Sequence, residues 1–512
     1  MISTVRSHKL LPFLGLALLF TAACAGSTGD NGGNSGGSIL RVGTSAEAGT
    51  LDPQLRDDIG TKLATNSINE PLVDYDSEGE LVPVLAAEMP EPLADGSGWS
   101  VSLQRDITFT NGEPFNAEAV KANLERMLSE EYGSALRSEI ATISDVEVVD
   151  DWTVQINTDG YDALLPYRLP IVRMVAPAAA AEGDFGENPV GTGPYMLSEW
   201  NKGQSITLKA NGDYWGDAPS IEEVELRFMP DVNTRLSALN NGEIDIAMKL
   251  SPEQAAAAPK VLKTDVGTEV SFVKFPLSTP PYDDVNFRRA LVYAIDTQAI
   301  VDEIFNGQFE IAQCQPVVST AGGFNADLQP QYEYDPDKAR ELLSQVDLPA
   351  DFAIEFESSA GLWGQDQESS QAIASYWEAA GIPVNIYLRE QDAYLDHFYQ
   401  LDLGRPQFGE SGQDLNHAAR QVALMISDDA LTNMREGQYP ELGQLATVAL
   451  TSQDEEKRQD AYDEIWQTTC EDALVWTGWE RTDLLGVSDR VDYNPSNRAF
   501  EWMLFNQVTL SD

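Results

Sequence analysis

Val224-Glu225-Leu226-Arg227-Phe228-Met229-Pro230, the run Asp231 to Gly242, and then Glu243-Ile244-Asp245-Ile246 hold two periodicities one after the other. Val224, Leu226 and Phe228 alternate with charged residues, the spacing of a half-buried strand, and Pro230 stops them. Leu236 and Leu239 then fall on one face of a helix that Gly242 closes, and Ile244-Asp245-Ile246 resumes an extended pattern. Strand, helix, glycine, strand is the grammar of an α/β chain.

The same grammar appears on both sides of this stretch. Trp99, Val101 and Leu103 alternate as a strand and Asn111-Gly112 marks a turn. Asn116 caps a helix carrying Val120, Leu124, Met127 and Leu128. Asp284 caps a helix with Phe287, Leu291 and Ile295; Asp296 caps the next, which Gly307 closes; Asp335-Pro336 opens another. A helix over 366–380 ends at Gly381, and Val384, Ile386 and Leu388 form a strand directly after it. The elements are not repeats of one unit.

The chain has 512 residues, 42% of them hydrophobic, which suggests two to four domains with substantial cores. Its formal charge of −51 repels phosphate backbones and anionic lipid headgroups, so nucleic acid is not expected as a partner. At the start, Arg6 and Lys9 precede an apolar run of 14 residues, Leu10 to Ala23, shorter than the ~20 a bilayer-spanning helix needs. Residues 1–23 thus read as a signal peptide. Thr21-Ala22-Ala23-Cys24 resembles a bacterial lipobox, with Thr where that motif usually has Leu, and predicts lipidation of Cys24; plain cleavage leaving a free thiol is the alternative. Residues 24–38, with six glycines in the 14 residues after Cys24, read as a tether that places the protein outside the cytoplasm on the cell membrane. Cys314 and Cys470 then remain as an even pair, read as a disulfide, with two buried thiols as the alternative.

Signals for catalysis and metal binding are weak. Gly409-Glu410-Ser411-Gly412-Gln413 approaches a nucleophile elbow but lacks its second glycine. Asp74, Asp76, Glu78 and Gly79 imitate the start of a calcium loop, yet Leu85 stands where the bidentate Glu belongs. His397 and His417 have no His or Cys close by in sequence, which disfavours zinc. No nucleotide-binding glycine fingerprint occurs, and no cofactor is expected.

Six blocks carry a family resemblance. They are Thr50-Leu51-Asp52-Pro53; Asn69-Glu70-Pro71-Leu72-Val73; the stretch from Trp99 through Asn111-Gly112 to Val120; Gly191-Thr192-Gly193-Pro194-Tyr195 with Tyr214-Trp215; Arg235 through Gly242 to Asp245; and Phe287-Arg288-Arg289-Ala290-Leu291 with Ala294-Ile295-Asp296. In this order, over roughly residues 39–510, the chain resembles the family 5 extracellular solute-binding proteins, which serve peptide and nickel ABC importers. The resemblance implies an α/β, two-lobe type 2 periplasmic-binding-protein fold with an additional domain inserted in the first lobe. Mapped onto this chain, the first lobe takes 39–72, 186–280 and 487–512, the inserted domain 73–185, and the second lobe 281–486. Pro280-Pro281 reads as a crossover between lobes.

The resemblance further implies a monomeric receptor, lipid-anchored and not an enzyme, that closes on an oligopeptide-like ligand and delivers it to an ABC permease. Another organic solute, such as an oligosaccharide or metal chelate, is the first alternative, and a secreted hydrolase the second. Most of the blocks read as scaffold. Ligand contacts are expected from the stretch Leu55 to Asp58, which includes Asp57, and from the loop Phe408 to Asp414, where Glu410 or Asp414 would neutralise an ammonium. Trp363, Trp476 and Trp479 are candidate pocket aromatics, with packing of the second lobe as the alternative; Trp377 is expected in the core.

Overall fold

The computed structural model describes residues 38–511, apart from 57, 265–268, 329–331, 399–403, 413–415, 427–438 and 496–502. The signal peptide, Cys24 and the tether up to Gly37 therefore lie outside the described residues, as do Asp57 and Asp414.

The opening stretch forms the elements its periodicity predicts. Glu223–Phe228 is a strand, Val232–Asn240 a helix whose first turn is capped by Asp231 accepting from the Thr234 N–H, and Ile246–Ala247 a strand. Both strands lie in a seven-stranded sheet ordered Lys260–Lys263, Leu484–Val487, Ile246–Ala247, Ile39–Thr44, Glu223–Phe228, Ser205–Ala210, Tyr195–Asn201. Ile39–Thr44 runs parallel to both its neighbours. Leu40, Val42, Val224 and Leu226 point into one core, each burial worth roughly 1.5–3 kcal/mol.

A six-stranded sheet is ordered Glu310–Ile311, Val475–Arg481, Glu269–Lys274, Gln407–Gly412, Ile354–Ser359, Val384–Arg389. Its core includes Phe272, Trp377, Trp466 and Trp479. The capped helices expected from sequence pack around it: Val285–Tyr293, Thr297–Phe305, Pro336–Leu343 and Asp366–Ala380, with Asp284, Asp296 and Asp335 each accepting a first-turn N–H. Gly381 ends the last in a left-handed conformation, as expected. Thr297–Phe305 instead takes Asn306 as its left-handed cap, one residue before Gly307.

A third core, reaching from Leu72 to Ala176, lies on a four-stranded sheet ordered Glu91–Pro92, Gly98–Ser102, Thr153–Thr158, Ile143–Asp150. Ala117–Leu128 covers it with Val120, Leu124 and Met127. This part meets the six-stranded body where Asn416 Nδ2 donates to the Gly79 carbonyl at 2.9 Å and the His417 and Tyr167 rings lie 4.4 Å apart.

One boundary differs from expectation. Glu269–Lys274 pairs with Gln407–Gly412 and with Val475–Arg481, so it belongs to the six-stranded sheet and the chain has changed sheets before it. The crossings run from Lys263 to Glu269 and from Arg481 to Leu484, not through Pro280-Pro281. An alternating run shows that a strand exists; its sheet is set by partners more than a hundred residues away in sequence, as Val273 opposite Phe408 and Trp476 illustrates. Leu484–Val487, likewise, lies wholly in the seven-stranded sheet rather than beginning it at 487.

Two resemblance blocks meet at one carboxylate. Glu70, nearly buried, accepts from Tyr214 OH at 2.6 Å, Trp215 Nε1 at 2.8 Å and Thr192 Oγ1 at 2.8 Å. Burial raises its pKa despite those three donors. Glycine flanks Thr192 because the Ile68 carbonyl oxygen would stand 2.0 Å from a Cβ at residue 191 and 2.7 Å from one at residue 193. The scaffold reading of these blocks agrees with this geometry, and Arg288, fully buried, hydrogen-bonds the Tyr282, Asp472 and Ala473 carbonyls.

Candidate functional site

Where the chain crosses between the two larger sheets it encloses a cavity of about 420 Å³. The seven-stranded side contributes Lys249 to Pro252 and Leu484; the six-stranded side contributes Glu269, Phe309, Leu362 to Gln365, Gly412 and Arg481; Thr482 and Asp483 belong to the crossing itself.

The loop carrying Trp363 is built from its ends. Asp366, at the start of its helix and almost fully buried, accepts from the Leu362 N–H at 2.9 Å, the Trp363 N–H at 3.2 Å and the Gly361 N–H at 3.0 Å, and Ser359 Oγ donates to it as well. Gly361 takes φ +101°, a conformation that leaves it no side-chain alternative. On the far side the Gly364 carbonyl accepts from Arg481 Nη2 at 2.7 Å. Trp363 is thereby set edge-on to Tyr394, Phe398 and Phe408, with centroids 5.8, 6.0 and 6.3 Å away, while it remains half-buried at the cavity wall. Gln365 and Lys249, both lining the cavity, are non-glycine residues in the left-handed region.

Charge at the cavity is organised around Arg481. Its Nε and Nη2 donate to the two carboxylate oxygens of Glu410, each at 2.7 Å, and its guanidinium lies 5.1 Å from the Phe309 ring centroid. Burial works against the guanidinium's charge, but the neighbouring carboxylates outweigh it and the pKa is raised. Glu269 Oε2 lies 3.7 Å from Arg481 Nε, beyond hydrogen-bond reach. Desolvation first, then repulsion from Glu410, pushes Glu269 up to about 8, Arg481 opposing.

The expected contact residues divide accordingly. Trp363 lines the cavity. Glu410 stands behind Arg481 with a side chain 1% exposed, bound in an ion pair rather than open to an ammonium. Phe408 and Trp479 are fully buried in the six-stranded core, and Trp476 nearly so. All but the last residue of Val475–Arg481 is buried, on both faces of the strand, so an aromatic there packs inward whichever way it points. Asp57 and Asp414 are not among the described residues; Asp58, next to the first, caps the helix Ile59–Thr65. Cys314 and Cys470 are joined in a disulfide, Cα atoms 5.2 Å apart, within the six-stranded body. Sequence reasoning missed Glu269, Arg481, Lys249 and Thr482; the one local hint was the charge alternation Arg481-x-Asp483 at a strand end. Among the described residues no group of three or more His, Cys, Asp or Glu is placed to hold a metal ion, and no helix is long and apolar enough to cross a membrane.

Comparison with known proteins adds an independent line. Residues 80–410 match the family described as bacterial extracellular solute-binding proteins, family 5 Middle. The glutathione-binding protein GsiB of Salmonella choleraesuis (strain SC-B67) is 32% identical over 375 residues, covering 71% of this chain and 69% of that protein. The fold matches the ABC transporter substrate-binding protein CtaP from Listeria monocytogenes, with TM-score 0.81, 20% identity, and 93% of this chain and 100% of that one covered. It also matches the oligopeptide-binding protein AppA from Bacillus subtilis, solved with a nonapeptide: TM-score 0.70, 19% identity, 93% and 99% covered.

Proposed function

The chain belongs to the bacterial extracellular solute-binding proteins of family 5, and on that premise we propose that it captures an oligopeptide-like solute in the cavity between its two larger sheets and hands it to an ABC permease. It is a receptor of a transporter, not an enzyme. The observation that carries the site is the cavity itself: it lies where the chain crosses from one sheet to the other, with a half-buried indole, cations and carboxylates converging on it.

The mechanism is closure about those crossings. A solute that touches both sides is bound better with the sides together than apart, and so shifts the population toward the closed form. Trp363 offers a flat apolar face whose ordering has already been done by Asp366, and the charged groups fix the solute's polar ends. We read 73–185 as the additional domain of the first lobe, supported by its own sheet and core. We read Cys24 as lipidated, so that a monomeric receptor is held near its permease; Cys24→Ser is then expected to release the protein from the membrane fraction with its fold unchanged.

Native mass spectrometry of protein purified without denaturant tests the reading. One peptide-like molecule per chain is expected, and adding it back at about 100 times Kd raises stability by ~2.7 kcal/mol. A sugar or a metal chelate in its place would keep the receptor and overturn the oligopeptide. A chemically altered solute after long incubation would overturn the receptor.

A further inference from the structure

Four charged residues line the cavity, Lys249, Glu269, Arg481 and Asp483. Arg481 gives two hydrogen bonds to Glu410 and one to the Gly364 carbonyl, and Lys249 and Asp483, which also line the cavity, each have an interaction of their own. Glu269, which also lines the cavity, is paired with Arg481 only at 3.7 Å, without a hydrogen bond, and 36% of its side chain is exposed. Beside it Thr482, 4% exposed and lining the same cavity, has its Oγ1 without a hydrogen-bond partner among the described residues. A carboxylate exposed at a cavity wall, with an unpartnered hydroxyl buried in that wall, is what a small cationic donor would satisfy.

We infer that Glu269, with Thr482 beside it, receives the ammonium group of the solute, while Glu410 holds Arg481 in place and does not touch the ligand. The inference rests on the oligopeptide reading above and assigns its amino end. Four charged groups face Glu269: Glu410 and Asp483 disfavour its ionised form, Arg481 and Lys249 favour it, and desolvation outweighs them all. An empty site therefore keeps much of this carboxyl protonated at neutral pH, and an arriving ammonium displaces that proton. Binding costs a proton and returns a charge pair.

The probe is an equimolar pool of randomised tripeptides with free amino ends, set against the same pool N-acetylated. Retained peptides are counted by native mass spectrometry for wild type, Glu269→Gln and Glu269→Asp. Wild type is expected to prefer the free-amino pool by about tenfold or more, Glu269→Gln to lose that preference, and Glu269→Asp to keep part of it. Wild-type retention of the free-amino pool is also expected to rise about tenfold between pH 6 and 7.5, where most of the peptides' own ammonium is still protonated; this arm stands even if Glu269→Gln folds poorly. A preference that survives in Glu269→Gln, or equal retention of both pools by wild type, overturns the inference and leaves the receptor reading standing. Retention of neither pool overturns the oligopeptide reading, and the inference with it.

Discussion

Arg481 meets Glu410 edge to edge, two parallel hydrogen bonds of 2.7 Å joining the last residue of one strand to a residue 71 positions earlier on another. With the Glu410 side chain 1% exposed and Arg481 14%, removing one partner strands the other. Glu410→Gln should lower stability by about 3 kcal/mol in urea unfolding, with the preference for free-amino peptides unchanged once folded protein is compared. A loss of that preference with unaltered stability would reverse the roles given to Glu410 and Glu269.

Asp366 gathers the amides of Gly361, Leu362 and Trp363 without reaching the cavity itself. Asp366→Ala leaves those donors to water and should cost about 2 kcal/mol. Amide hydrogen exchange should speed up at Leu362 and Trp363, and solute affinity should fall although no contact has been removed. Unchanged exchange there would show that the loop holds its shape by other means.

His417 is buried between the Tyr167 and Tyr462 rings, its Nδ1 accepting from the Ala419 N–H at 3.1 Å. Desolvation, with a smaller push from Arg458, depresses its pKa to about 3. The folded value lies below the ordinary 6.5, so the neutral ring's contribution is present above 6.5 and is lost as pH falls from there toward 3. Wild type should lose on the order of a few kcal/mol relative to His417→Gln between pH 7 and pH 4, read from urea midpoints at each pH. Parallel curves for the two proteins would refute this.

The Cys314–Cys470 bridge closes a loop with a sequence separation of 156. Reduction should lower stability by roughly 2–4 kcal/mol, and alkylation of denatured, unreduced protein should label neither residue. Labelling of both would remove the bridge from the account.

What the sequence made legible follows the range of each interaction. Helix starts were readable because Asp284, Asp296 and Asp335 act on amides two or three residues away. The sheet to which Glu269–Lys274 belongs was not, since its partners lie more than a hundred residues on. Nor was the fate of Phe408 and Trp479: residue type marks an aromatic, and only the tertiary packing around it decides that it points into a core. Glu410 looked available because its partner, Arg481, is distant in the chain, and Glu269 escaped notice among 83 acidic residues until the cavity singled it out.

The strand Ile39–Thr44 is the first of its sheet to be synthesised and lies at its middle, with Glu223 opposite Ile39 on one side and Ile246 opposite Val42 on the other. Both edges of that strand must therefore wait for chain made much later. During synthesis and export its apolar face and unpaired amides stay available to any other extended segment, so folding of this half is governed by a late, non-local closure, slow by its topology and open to mispairing meanwhile. The third core, whose strands fall between residues 91 and 158, has all its partners to hand before that closure and is free to form first.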